Sequence, residues 1–201
     1  MPIKLNSTGG GSVTLDVPSM STANTLTLPA KSGNIITSAD TGTVSQAMLG
    51  AGVAGNGPAF SAYISSNQSI TNNTFTKLQA GTEEFDTANC YDSATNYRFT
   101  PNVAGYYHII GQIYFYASGN LNTNTIVSIF KNGVRFKDGN LTSGTQGVAA
   151  FYNASALIYL NGSTDYVELY GLINGAGTVE FRRDGGSQAQ SYFQGFLARA
   201  A

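Results

Sequence analysis

Few side chains in this sequence could do covalent or acid–base chemistry. His108 is the only histidine and Cys90 the only cysteine in 201 residues. The histidine sits mid-strand between Tyr107 and Ile109, where it reads as a packed, hydrogen-bonded residue. A lone histidine cannot build a His-rich metal site, and nothing beside it in sequence makes it a catalytic base. Glu83, Glu84 and Asp86 form the densest acidic group, and Glu180 with Asp184 a second. Paired carboxylates are what glycoside hydrolysis requires. Both groups lie beside turns, however, with no insertion that would shape a groove, so they read as solvated loops. Cys90 has no cationic or histidine neighbour in sequence to activate its thiol and reads as a packing residue. No glycine-rich loop follows a strand and opens a helix, which leaves nucleotide binding without support. The expectation is a protein that is not an enzyme and carries no cofactor and no resident metal.

Recognition chemistry is better supplied. The longest polar connections are residues 117–125 (ASGNLNTNT), 138–147 (DGNLTSGTQG) and 182–188 (RRDGGSQ). Asn, Thr, Ser and Tyr hydrogen-bond well to sugar hydroxyls, and tyrosine rings stack on sugar faces. The candidate ligand-binding residues are Asn120, Asn122, Asn124, Asn140, Arg182, Arg183 and Asp184, with a carbohydrate as the expected ligand. Loops are also polar because they are exposed, and sequence alone does not choose among the three.

The elements that must position these loops are strands. The stretch 91–116, YDSATNYRFTPNVAGYYHIIGQIYFY, ends in the clearest of them. Tyr107, Ile109, Gly111, Ile113 and Phe115 fall on one face of an extended chain, because successive side chains alternate sides. Tyr106, His108, Ile110, Gln112, Tyr114 and Tyr116 fall on the other. A half-exposed antiparallel strand would alternate apolar with polar. Here both faces are apolar or aromatic, so one should meet the core of its own chain and the other a second copy. Further short strands are expected at 60–64, 69–78, 83–86, 125–130, 148–160, 166–173, 178–181 and 189–197. Asn132-Gly133, between two alternating runs, signals a tight hairpin, since both residues tolerate positive φ. Many short strands separated by turns indicate a sandwich, barrel or jelly roll.

Composition agrees. Charged residues make up 10% of the chain and the net charge is −1, which offers no basic surface for nucleic acid. Little solubility by charge repulsion suits a subunit of a large assembly. The first 57 residues contain no aromatic residue. They hold two short alternating runs, 12–17 and 25–28, each stopped by a proline, then one or two helical turns within 41–49, and a glycine-rich joint over 50–58. Neither run could bury a core alone; wound with copies of itself, it could. The opening MPIKLNSTGGGS has no apolar run of signal-peptide length and no later segment could span a membrane, so assembly in a reducing cytoplasm is expected.

Three separated segments carry a family resemblance. Residues 58–62 (PAFSA), the spacing D-x4-Y-x7-F-x5-G-x-Y formed by Asp86, Tyr91, Phe99, Gly105 and Tyr107, and residues 191–197 (SYFQGFL) together resemble the complement globular-head domain. That family shares its jelly roll with tumour necrosis factor. Two departures are an extra residue between Tyr91 and Phe99 and Ile109 where the family usually has Phe. The resemblance covers about residues 58–198 and implies an all-β antiparallel jelly-roll sandwich of about ten strands, assembled as a compact homotrimer. Some members bind calcium in loops of the kind that holds Glu83, Glu84 and Asp86. On this reading strands 105–116, 148–160 and 189–197 form the sheet facing the threefold axis. The expected interface residues are Tyr106, His108, Ile110, Tyr114, Tyr116, Tyr192 and Phe196.

The amino-terminal runs resemble the SVTL…P and LTLP segments of bacteriophage tail fibres and related virion appendages. The implied organisation is a virion-attachment and trimerisation segment over residues 1–57 and a trimeric jelly-roll head over 58–201. The implied role is a virion fibre or appendage, assembled in the host cytoplasm. Residues 1–57 would contact other virion proteins, and the head would recognise a host-surface receptor, a glycan by its loop chemistry. The alternative is a purely structural capsid decoration or tail collar. Neither nucleic acid nor membrane insertion is expected.

Overall fold

A computed structural model describes residues 3–6, 9–10, 12–15, 57–122, 124–141, 144, 147–183 and 188–201. The chain divides into two compact units, Met1–Thr41 and Gly42–Ala201. In the first, β1 (Ile3–Asn6) pairs antiparallel with β2 (Ser12–Leu15), Ile3 opposite Leu15. The run at 12–17 is therefore half of a hairpin whose other strand, IKLN, is too short to stand out by pattern. The run at 25–28 and the helical turns expected within 41–49 lie outside the described residues.

The second unit is an antiparallel jelly-roll sandwich, and among its described residues there is no helix. Its thirteen strands exceed the expected ten because four are two-residue pieces. β3 (Ala59–Tyr63), β4 (Gln68–Ser69), β5 (Thr76–Lys77), β6 (Thr82–Asp86), β7 (Tyr91–Asp92) and β8 (Arg98–Phe99) come first. The long strands follow: β9 (Ala104–Ala117), β10 (Ile126–Lys131), β11 (Val134–Leu141), β12 (Ala149–Asn161) and β13 (Val167–Leu172), then β14 (Val179–Phe181) and β15 (Tyr192–Ala200). One sheet runs β12-β9-β15-β3-β6, with β14 and β4 continuing beside the far end of β9. The other runs β11-β10-β13-β8-β7, with β5 also on β13. From β9 onward the chain changes sheets between β9 and β10, β11 and β12, β12 and β13, and β13 and β14. Among the long strands only β10 and β11 form a local hairpin. Its turn is the one expected, with Asn132 and Gly133 at φ 52° and 76°. The single strand expected over 69–78 is instead the separate β4 and β5, because Asn73 turns the chain at φ 56°.

β9 lies between β12 and β15 and pairs with β12 from Ala104 to Tyr116. Its inward residues Tyr107, Ile109, Ile113 and Phe115 are fully buried, as alternation requires. Gly111 leaves room for the Leu169 side chain of the opposite sheet, which a Cβ there would displace.

The spacing from Asp86 to Tyr107 proves to be a packing device. The Asp86 carboxylate accepts from the amides of Ala88 and Tyr91, at 3.2 and 2.7 Å, and closes the turn between β6 and β7. That places Tyr91 against Phe60, centroids 4.8 Å apart, and Phe60 on Phe99 at 4.4 Å. Phe193 and Tyr107 meet this stack edge-on, Phe193 against Phe60 and Tyr107 against Phe99. Both phenols donate to backbone carbonyls, Tyr91 to Ala80 and Tyr107 to Val103. Burial pushes both well above the ordinary tyrosine range, so they stay protonated donors. Gly105 lets β9 pass the bulge in β15, where a Cβ would meet the Arg199 carbonyl at 2.5 Å.

Phe60→Ala, which empties the centre of this stack, should cost about 3–5 kcal/mol in denaturant unfolding at fixed protein concentration. Phe85→Ala, at a half-exposed position on β6, should stay within about 0.5 kcal/mol. Equal losses would show that the aromatic stack is not the centre of the core.

Candidate functional site

The outward face of β12-β9-β15 carries five of the ten large hydrophobic side chains exposed among the described residues. Register sets its rows. Tyr159 stands opposite Tyr106, Leu157 opposite His108, Ser155 opposite Ile110, Asn153 opposite Gln112 and Phe151 opposite Tyr114. On the other side of β9, Phe196 stands opposite His108 and Tyr192 opposite Gln112. Tyr114 and Phe151 stack at 4.4 Å, and Tyr106 meets Tyr159 edge-on at 5.5 Å. His108 Nε2 lies 2.9 Å from Ser155 Oγ, with its ring edge-on to Phe196 at 5.7 Å. Tyr106, Phe151, Leu157, Tyr159 and Phe196 are each 43–61% exposed.

All seven residues expected at an interface thus share this one face. Sequence reasoning missed Phe151, Leu157 and Tyr159, although their period-two spacing along β12 was the signal. Together the five exposed side chains leave roughly 400–500 Å2 of apolar surface on this face, Phe151 set apart from the other four by the Ser155 and Asn153–Gln112 rows. The largest apolar patch on a soluble monomer is of about this order and is often functional. Val134 (69% exposed) and Phe136 are exposed as well, on the edge strand β11.

Of the three polar loops, 117–125 and 138–147 meet, the Leu121 amide donating to the Gly147 carbonyl at 3.2 Å. Connections 118–125 and 173–178 meet at one end of the sandwich, bridged at Leu121 and Gly175. The chain enters at the other end, where the Pro58 carbonyl accepts from the Leu197 amide. About 30 Å of β9 separates the two ends. At the far end Asn120 and Asn122 are held through their backbones, Asn120 O by Ala176 N and Asn122 N by Asn174 O. Asn124 occupies the left-handed region at φ 69°. The Asn140 Oδ1 accepts from Asn153 N on β12 and so pins β11 to its neighbour.

Arg182 lies instead on the apolar sheet, its guanidinium 3.1 Å from the Tyr116 ring centroid and its Nε 2.9 Å from Glu180. Burial opposes its charge, yet Glu180 and Tyr116 outweigh that and raise its pKa above the ordinary range. Arg183 bonds to Asn67 and Ser65 beside a polar cleft of about 430 Å3. In that cleft Gln68 is occupied in tying β4 to the Lys77 carbonyl and the Gln79 amide. Asp184 lies outside the described residues.

Three carboxylates of the two acidic groups have structural partners. Asp86 closes its turn, Glu84 accepts from Ser61 and Glu180 pairs with Arg182. Among the described residues no group of three His, Cys, Asp or Glu side chains is placed to hold a metal. Cys90 is buried, with its Sγ donating to the Ala88 carbonyl, and burial raises its pKa.

No family model matches the sequence, and no curated protein matches it. Several solved structures are similar in fold. The globular domain of zebrafish complement 1qA protein aligns at 18% identity and a TM-score of 0.48, over 72% of this chain and 98% of that one. Murine APRIL at pH 8.5 aligns at 10% identity and 0.47, over 70% and 98%. Eiger TNF from S. frugiperda aligns at 10% and 0.46, over 72% and 92%. These likenesses stand beside the strand order of the chain itself, which establishes the jelly-roll sandwich on its own.

Proposed function

We propose that this chain is a trimeric fibre or appendage of a virion. Its head recognises a carbohydrate receptor on the host surface, binding without cleaving it, and its first 57 residues attach it to the particle. The observation that carries the assembly is the outward face of β12-β9-β15. Covering roughly 400–500 Å2 of apolar surface there contributes about 10 kcal/mol per chain before association costs. The geometry favours a ring. The sheet face and the sandwich edge bearing Val134 and Phe136 are two different apolar surfaces. Packing one against the other is a heterologous contact, which closes into a cycle when the rotation permits. A trimer is the cycle that the family resemblance implies.

The receptor role is supported by the neutral Asn- and Thr-rich chemistry at the end of the sandwich away from Pro58, and by the engagement of Asp86, Glu84 and Glu180 with structural partners. The virion role is supported by the likeness of the amino-terminal runs to tail-fibre segments. Single sugar sites on such a head would be weak. Three heads on one fibre, and several fibres on one particle, would raise avidity by roughly 10²–10⁴ through effective concentration.

Sedimentation of the full-length protein at micromolar concentration should give three chain masses. Leu157→Asp, which sets a carboxylate in the middle of the face, should reduce this to one chain mass or unfold the protein. A folded wild-type monomer would end the assembly reading. The division of labour has its own test: deleting residues 1–50 should leave an oligomeric head that is no longer incorporated into particles. Normal incorporation of the truncated protein would place attachment in the head.

A further inference from the structure

β11 breaks the alternation of a strand twice, and both breaks serve the same surface. Opposite β10, Phe130 pairs with Arg135 and Ile129 with Lys137, so Phe136 is an inserted residue. Ser128 pairs with Asp138 and Ile126 with Leu141, so three steps along β11 match two along β10. Ile126, Ser128 and Phe130 share the outward face of their sheet, because the alternate residues Val127 and Ile129 are in the core. The two bulges therefore bring Arg135, Asp138 and Leu141, spaced by three, to one side of a strand that would otherwise send them to alternate sides. Gly139 permits the second bulge, since a Cβ there would run into the Asn153 carbonyl, and Asn140 fixes it on β12.

The result is a cleft of about 350 Å3 on the outer sheet, at the end of the sandwich away from Pro58. Ile126 and Leu172 are apolar in its lining, and Phe75 and Leu141 flank them. Its polar groups are held in advance. Arg135 grips Asp138 through two bonds of 2.6 and 2.7 Å, and the buried Ser128 hydroxyl donates to Asp138 Oδ1 at 2.8 Å. The Arg135 guanidinium lies 4.7 Å over the Phe75 ring. Asn73 and Asn124, both in the left-handed region, complete the lining. The Asn73 side is anchored by reciprocal bonds between the Asn72 side chain and the Gly175 backbone. An ion pair with both partners nearly half exposed adds little stability. Two bulges that aim it into a cleft are better explained by what it presents there.

We propose that this cleft binds one neutral hexopyranose residue of a surface glycan. The proposal rests on the receptor reading above and assigns it a site. A carboxylate has about four acceptor positions, and the three bonds to Asp138 leave capacity on Oδ2 for a sugar hydroxyl. The Asn73 and Asn124 carboxamides can both donate to and accept from neighbouring hydroxyls. Ile126, Leu172 and Leu141 offer an apolar bed for the C–H face of the ring. The Arg135–Asp138 pair is internally neutral, so an acidic sugar would meet Asp138 with no unpaired cation to offset it, whereas a neutral polyol meets no such cost.

Saturation-transfer NMR on the full-length protein, with the methyl glycosides of glucose, galactose and mannose as probes, tests the site. At least one glycoside should receive saturation, strongest on one face of its ring. Asp138→Asn should weaken it about tenfold or more, and Asn124→Ala carries the same expectation of weakening should the Asp138 variant not fold. Asn120→Ala and Asn122→Ala should bind as the wild type does. Binding kept by the Asp138 and Asn124 variants but lost by the Asn120 or Asn122 variant would overturn this site and leave the carbohydrate reading intact. Transfer only to a methyl sialoside, run as a fourth probe, would overturn the neutral ligand. No transfer to any of the four glycosides, with no retention on a glycan array of the protein coupled to beads for multivalency, would overturn both the site and the carbohydrate reading.

Discussion

The jelly roll is built outward from a strand that is apolar or aromatic on both of its faces. β9 pairs along nearly its whole length with β12, and on its other side with β15 and then β14. This makes it the most constrained element in the sheet. Its inward side chains fill the centre of the sandwich. Its outward side chains, with those of β12 and β15, lay Tyr, Leu, Phe and His side by side where a single chain has nothing to cover them. Neither face can be given up: a slip of one residue in register would exchange them, pushing His108 and Gln112 into the core. The fold and the proposed assembly are thus two consequences of one alternating sequence.

That arrangement divides the molecule by sheet. The sheet containing β9 carries the surface suited to self-association. The opposite sheet, with β10, β11 and β13, keeps its outward face available in such an assembly, and the bulged cleft is there. Its aromatic groups are already engaged within the chain: Phe130 stacks on Tyr170 at 4.1 Å, and the Lys77 ammonium, paired with Glu168, lies 5.9 Å from the Tyr170 ring. A surface whose rings and charges are satisfied locally is less adhesive than the Tyr106–Leu157–Phe196 face. It suits reversible contact with a small polar ligand better than permanent contact with protein.

Strand β9 and the Asn132-Gly133 hairpin were legible in the sequence, because each follows from a local rule: alternation with period two, and positive φ at Asn-Gly. The signature from Asp86 to Tyr107 was legible only as a family resemblance, and the part Asp86 plays in closing its turn shows only in the structure. The start of β11 was legible as the second arm of the Asn132-Gly133 hairpin, but its bulges were not. Strict alternation in VRFKDGNL would group Arg135 with Lys137 and Asp138 with Phe136. An inserted residue leaves no mark in the pattern and shows only in the pairing with β10. The loops were legible as polar but not as sites. Sequence cannot say that the Asn140 amide is taken by Asn153, that Arg183 bonds to Ser65 and Asn67, or that Arg182 lies on Tyr116. These are contacts between residues far apart in the chain, and of the candidate loop residues Asn124 alone lines the cleft with the Arg135–Asp138 pair.

The central claim, that the outward face of β12-β9-β15 is covered by another copy of the chain, is tested most directly by thiol protection. A Leu157→Cys variant of the full-length protein places one reporter at the middle of that face, while native Cys90 stays buried. Maleimide labelling of the folded protein at micromolar concentration should be slowed by an order of magnitude or more relative to the same thiol in denaturant, with protection lost on dilution. Labelling at the unfolded rate in a folded protein, at any concentration, would show that the face is open to solvent and contradict the account.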